Sequence, residues 1–143
     1  MNTQDYHKSI TTTVSAKEAF TKISSVTWWT ANFKGSAKHL NDVFTMRLGE
    51  STLTLQVVEV VPSKKLVWLV TDCHLPWLKD TTEWKNTHIV FEISEGNQQT
   101  SIDMTHVGLV PGVECYNVCE GGWNAHLKDL TAWLETGICS PLT

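Results

Sequence analysis

A chain of 143 residues with 41% hydrophobic and 18% charged side chains has the size and composition of one globular domain with one core, and no run approaches the ~20 apolar residues of a membrane span. The net charge of −4, with Arg47 the only arginine among eleven basic residues, argues against a nucleic-acid partner, because arginine supplies the planar donor forks that suit phosphates and base edges. The N-terminus MNTQDYHKSI lacks the basic patch and apolar stretch of a secretion signal, so a cytoplasmic location is expected, with Cys73, Cys115, Cys119 and Cys139 reduced.

YHKSITTTV, ending at Val14, reads as a first strand rich in β-branched residues. Ser15-Ala16-Lys17-Glu18 is a capping-box pattern opening a helix of two or three turns, with Ala19, Phe20 and Ile23 as its apolar face. Trp28 and Trp29 follow in SSVTWWTANFKG, a stretch that is neither helical nor alternating. From Asp42 to Gly108 the period is two: Phe44, Met46 and Leu48, then Leu53, Leu55 and Val57, then the nearly continuous run LVWLVTD containing Trp68. Ile89, Phe91 and Ile93 come next, followed by Ile102, Met104 and His106. Gly49-Glu50-Ser51, Pro62-Ser63-Lys64 and Glu95-Gly96-Asn97 provide turns, so serial hairpins and an antiparallel sheet are expected.

Beyond Pro111-Gly112, residues 113–136 return to helical spacing. Tyr116, Cys119, Trp123, Leu127, Leu130 and Leu134 form a stripe flanked by Cys115, His126 and Trp133, with Gly137 as a stop and Pro141 shortly beyond. The expected architecture is α+β, one domain over 1–143: a curved antiparallel sheet of six or seven strands around a long C-terminal helix, with one or two short helices after the first strand. Gly121-Gly122 inside the long helix costs about 1 kcal/mol per glycine against alanine. Close approach of strand backbone or of a ligand, or else a local kink, is expected to account for the pair.

The same segments, in order, resemble the helix-grip, START-like (SRPBCC) superfamily. Within it they resemble the small bacterial proteins similar to the C-terminal domain of the activator of the ninety-kilodalton heat-shock-protein ATPase. The resemblance is carried by the SAKEAF helix, WWT with FKGS, FTMRLG, VVEVVPSKKLVWLV, TEW ahead of THIVFEI, TSIDMTHVGLVP and GGWNAHLKDLTAWLETG, and it covers nearly the whole chain. Members of the superfamily include hydrophobe carriers, polyketide cyclases, hormone receptors and co-chaperones, so the fold is better specified than the activity. The resemblance implies a cavity between sheet and terminal helix that holds a small hydrophobic or aromatic molecule. It also leaves two alternatives, a cyclase- or hydrolase-like enzyme in that cavity and a protein-interaction domain with a chaperone partner.

In that arrangement Trp28, Trp29 and Phe33 would form a wall or lid at the mouth, or else plug the end of the sheet. Trp77 and Trp84, in the loop CHLPWLKDTTEW, are a second gate or a packed anchor. Phe44, Met46, Trp68 and Met104 would line the cavity from the strands, and Cys119 and Trp123 from the helix. His106, inward-facing near a strand end, is either a ligand partner and candidate base or a satisfied core histidine. Cys115, Cys119 and His126 fall short of the four ligands of a structural zinc site. The acidic residues are scattered and no nucleophile, phosphate-loop or metalloprotease motif is present, so neither a catalytic set nor a cofactor is expected. The protein is expected to be a monomer or weak dimer.

Overall fold

The computed structural model of the protein describes residues 5–138. The elements run β1 (Tyr6–Thr12), α1 (Ala16–Ile23), β2 (Phe33–Gly35), β3 (Val43–Leu48), β4 (Ser51–Val61), β5 (Lys65–His74), β6 (His88–Gly96), β7 (Gln99–Val107) and α2 (Tyr116–Thr136). They form one seven-stranded sheet in the order β1-β7-β6-β5-β4-β3-β2, and every pairing is antiparallel. Only β1 joins out of sequence, pairing with β7 from Tyr6↔His106 to Thr12↔Thr100. The α+β architecture and its curved sheet are as expected. A single short helix follows β1, and Trp28 and Trp29 lie in a turn after it. No helix among the described residues is long and apolar enough to cross a membrane.

The alternation read from the sequence settles the faces. Leu53, Leu55, Val57, Trp68, Val70, Ile89, Phe91, Ile93, Ile102, Met104 and His106 all lie on the covered face, as a period of two requires. Register shifts between Thr54/Leu55 and between Val57/Glu59 break the β4–β5 ladder, the kind of irregularity that bends a strand pair and increases its twist. α2 lies on the concave side with Cys119, Trp123, His126, Leu127, Leu130 and Leu134 buried. At 1.5 Å per residue its length is about 31 Å.

The ends of the helices show where local signals hold. Ser15 caps α1, its hydroxyl accepting from the Glu18 amide at 3.1 Å. Glu95 of β6 adds a second acceptor at this helix start, its carboxylate accepting from the Ala16 amide at 2.8 Å. α2 ends at Gly137 in the left-handed conformation, its N–H donating to the Trp133 carbonyl; Pro141 and Cys139 lie outside the described residues. The helix begins at Tyr116 rather than near Val113, and its N-cap residue, Cys115, provides no side-chain cap. The cap comes instead from Glu83, whose carboxylate accepts from the amides of Glu114 at 2.8 Å and Cys115 at 2.9 Å.

Candidate functional site

The turn after α1 determines what happens to the paired indoles. Val26 takes a positive φ of 63°, unusual for a β-branched residue, and the Trp29 amide donates to its carbonyl at 2.8 Å. Both rings consequently turn inward and stack on each other, with centroids 5.9 Å apart and planes 13° apart. Trp28 also meets Phe91 edge-on. Trp29 stacks on Trp68 at 6.2 Å and leans on Trp123 at 4.9 Å, while Trp68 meets Phe44 and Phe91 edge-on. Trp28, Trp29, Phe44, Trp68 and Met104 are therefore packed core, closing the space between α2 and the middle of the sheet.

His106 belongs to the same network. Trp123 Nε1, which can only donate, gives its proton to His106 Nδ1 at 3.0 Å. The other nitrogen, Nε2, lies 2.9 Å from Thr87 Oγ1, whose own hydroxyl is directed to the Trp84 carbonyl at 2.6 Å. The consistent assignment is the neutral Nε2–H tautomer, which donates to Thr87. Burial pushes its pKa down to about 3. With both nitrogens engaged, no lone pair is free to act as a base, and of the two expected roles the geometry matches that of a satisfied core histidine.

The space left open lies at one end of this aromatic packing. A cavity of about 230 Å³ is bounded by Leu48, Ser51 and Leu53 from β3 and β4, by Leu75, Trp77 and Trp84 from the loop after β5, and by Val118, Cys119, Gly122, Trp123 and His126 from α2. None of these residues is charged. Of the twelve side chains expected at a ligand site, it brings together Trp77, Trp84, Cys119 and Trp123. Phe33 and Met46 instead border a separate groove with Lys34, Arg47 and Thr54.

The loop over the cavity is fastened at several points. Trp77 Nε1 donates to Ser51 Oγ at 3.0 Å, although the Trp77 side chain remains 49% exposed. Trp84 stacks parallel to Trp123 at 6.2 Å, meets His106 edge-on at 4.5 Å and donates to Cys115 Sγ at 3.3 Å. Glu83 caps α2, and Glu114 returns the contact by accepting from the amides of Lys79 and Asp80. Loop and helix start are thus joined by reciprocal carboxylate–amide bonds.

On the helix wall, hydrogen bonding to Cys119 and burial push the Cys115 thiol pKa up, and the same bond pushes that of Cys119 down. Among the described residues no group of three or more His, Cys, Asp or Glu side chains is placed to hold a metal. Gly121 has no neighbour within 4 Å of an added Cβ, and an added Cβ on Gly122 would meet only His126 Nε2 at 3.9 Å. Strand backbone does not approach the pair, so that expectation is corrected: Gly122 leaves open space in the cavity wall. Missing from the sequence-based site were Leu48, Ser51, Leu53, Leu75, Val118, Gly122 and His126, although the inward phase of Leu48 and Leu53 and the stripe position of His126 were available signals.

Several solved structures share the fold. The Aha1 dimer from Colwellia psychrerythraea matches with a TM-score of 0.74 and 19% identity, over 96% of this chain and 98% of that one. Protein SSP2350 from Staphylococcus saprophyticus gives 0.73 and 15% over 97% of each chain. Protein BH1534 from Bacillus halodurans gives 0.72 and 16% over 94% of this chain and 100% of that one. No curated protein matches the sequence. Residues 18–135 match the family described as Activator of Hsp90 ATPase homolog 1-like protein, and the chain belongs to that family.

Proposed function

We propose that the protein binds a small hydrophobic molecule in the cavity between α2, the β3–β4 hairpin and the loop after β5, and acts as a cytoplasmic carrier or sensor. The observation that carries this reading is an uncharged space of about 230 Å³ with Trp77, 49% exposed, and Val118, 64% exposed, among the residues around it. Exposed apolar groups beside an apolar pocket favour uptake of a hydrophobe, and burial there contributes about 25 cal/mol per Å² before the costs of association. The reading is tested by titrating the intrinsic tryptophan fluorescence with chemically diverse hydrophobes and by native mass spectrometry of the protein from cells. A flat response across the panel, with no co-purifying molecule, removes it.

The family supports a second reading, a protein-interaction domain that regulates a chaperone ATPase, with Trp77 and Val118 as contacts. Stimulation of that ATPase by this protein, undiminished when the cavity is filled by Gly122→Leu, would favour it. Enzymatic use of the cavity has less support, since the candidate base His106 has both nitrogens bonded. The Colwellia relative is a dimer; for this chain we propose a monomer or weak dimer, to be tested by sedimentation.

A further inference from the structure

We propose that His126 is the polar anchor of the cavity, and that it selects an uncharged hydroxylated aromatic of one or two rings, a phenol or naphthol, by a hydrogen bond between the ligand hydroxyl and the imidazole. This rests on the reading of the cavity as a binding site and specifies its ligand class.

His126 is 9% exposed and lines the cavity, with Nε2 on the side of Gly122. Its ring touches those of Trp29 and Trp123, but neither nitrogen has a hydrogen-bond partner among the described residues. Unlike the indole nitrogens of Trp29 and Trp68, which are fully enclosed, the imidazole nitrogens keep some accessibility beside the cavity and so are open to a ligand hydroxyl. The other nitrogen donors of the wall are committed: Trp77 to Ser51, Trp84 to Cys115 and Trp123 to His106. Apart from the Ser51 hydroxyl and the Cys119 thiol, which is a weak donor, His126 is the polar group left for a ligand.

The chemistry of the wall narrows what that ligand can be. Burial pushes the His126 pKa down to about 4, so near neutral pH the ring offers one donor and one acceptor. A hydroxyl matches either tautomer because it can donate and accept, whereas a ketone only accepts and an ammonium only donates. An ionised ligand would be desolvated against a wall with no Asp, Glu, Lys or Arg. Trp84 and Trp123, stacked on each other, both line the space and give a flat ring aromatic surface to pack against. Benzene occupies an apolar cavity of about 150 Å³, so about 230 Å³ takes one ring or two fused rings.

The test compares 2-naphthol with naphthalene by equilibrium dialysis against the wild-type protein, His126→Leu and His126→Gln at pH 6 to 8. The expected result is a preference of about 3- to 10-fold for 2-naphthol in the wild type. That preference is constant over the pH range, lost in His126→Leu while naphthalene still binds, and partly kept in His126→Gln. If His126→Leu does not fold, the ¹⁵N resonances of the wild-type imidazole decide, shifting with 2-naphthol and not with naphthalene. Equal binding of the two probes by the wild type, or a preference that survives His126→Leu, overturns the anchor and leaves the cavity reading standing. Binding of neither probe overturns both.

Discussion

Trp123 donates its indole proton to Nδ1 of His106 at 3.0 Å, joining the middle of α2 to the end of β7 inside the aromatic core. Such a bond requires the imidazole to stay neutral, and burial pushes the His106 pKa down to about 3 from an unfolded value near 6.5. The folded state therefore binds fewer protons than the unfolded state between these limits. Its stability is fully present above about pH 6.5 and falls as pH drops toward 3, at about 1.4 kcal/mol per pH unit for one such histidine. His126, pushed down to about 4, adds a second share over a narrower window. Urea unfolding at pH 7 and pH 5 should show His126→Leu losing less stability on acidification than the wild type, by about 2 kcal/mol. Equal losses would mean that the imidazole is protonated as readily inside as outside.

The two stacked indoles at 28 and 29 differ in one respect. Trp28 Nε1 donates to the Ile23 carbonyl at 2.9 Å, whereas Trp29 Nε1 is buried without a partner. Replacing either by phenylalanine removes similar ring area, but only at Trp28 is a hydrogen bond lost, and at Trp29 an unsatisfied donor disappears. Trp28→Phe should therefore destabilise the protein by about 1 to 2 kcal/mol more than Trp29→Phe. Truncation of Trp29 to alanine should cost about 3 to 5 kcal/mol, since the ring touches Trp28, Trp68, Trp123 and His126. Chemical denaturation of the three variants orders them.

These residues also mark the limit of what local sequence reveals. The inward phase of Phe44, Leu53, Trp68, Ile89 and Met104 follows from alternation, because successive strand side chains take opposite faces. No such rule governs Trp28 and Trp29, whose shared direction depends on the turn at Val26, φ 63°. Alternation therefore does not distinguish lid from plug, and the turn does. The gap itself is what remains after five indoles and two phenyl rings have packed. Its position beside Leu75 and Gly122 depends on summed ring volumes rather than on any motif. The start of α2 is illegible locally for a related reason: its capping carboxylate belongs to Glu83, 31 and 32 residues earlier in the chain.

Glu83 merits a separate expectation, because its carboxylate accepts two amide protons at the positive end of a helix, where anionic acceptors are favoured. Glu83→Ala leaves the amides of Glu114 and Cys115 without that acceptor and should destabilise the fold by about 1 to 2 kcal/mol. Glu83→Gln retains one acceptor oxygen and should lose less. Hydrogen exchange should accelerate at the Glu114 and Cys115 amides ahead of the sheet amides of β6. Unchanged protection at those two positions would show that the loop does not secure the helix start.

Gly121 and Gly122 occupy consecutive positions in α2 but face different surroundings, and this separates the cost of glycine in a helix from its use. Gly121 is exposed with open space around an added Cβ, while Gly122 faces the cavity beside His126. Gly121→Ala should stabilise the protein by up to about 1 kcal/mol through helix propensity alone, leaving hydrophobe binding untouched. Gly122→Ala should gain similar stability while narrowing the cavity. Gly122→Leu should fill it, abolishing fluorescence quenching by bound hydrophobes in a protein that still unfolds cooperatively. If Gly122→Leu bound the same ligands with unchanged affinity, the molecule would have to sit elsewhere, and the glycine would need another account than the space it leaves for a ring.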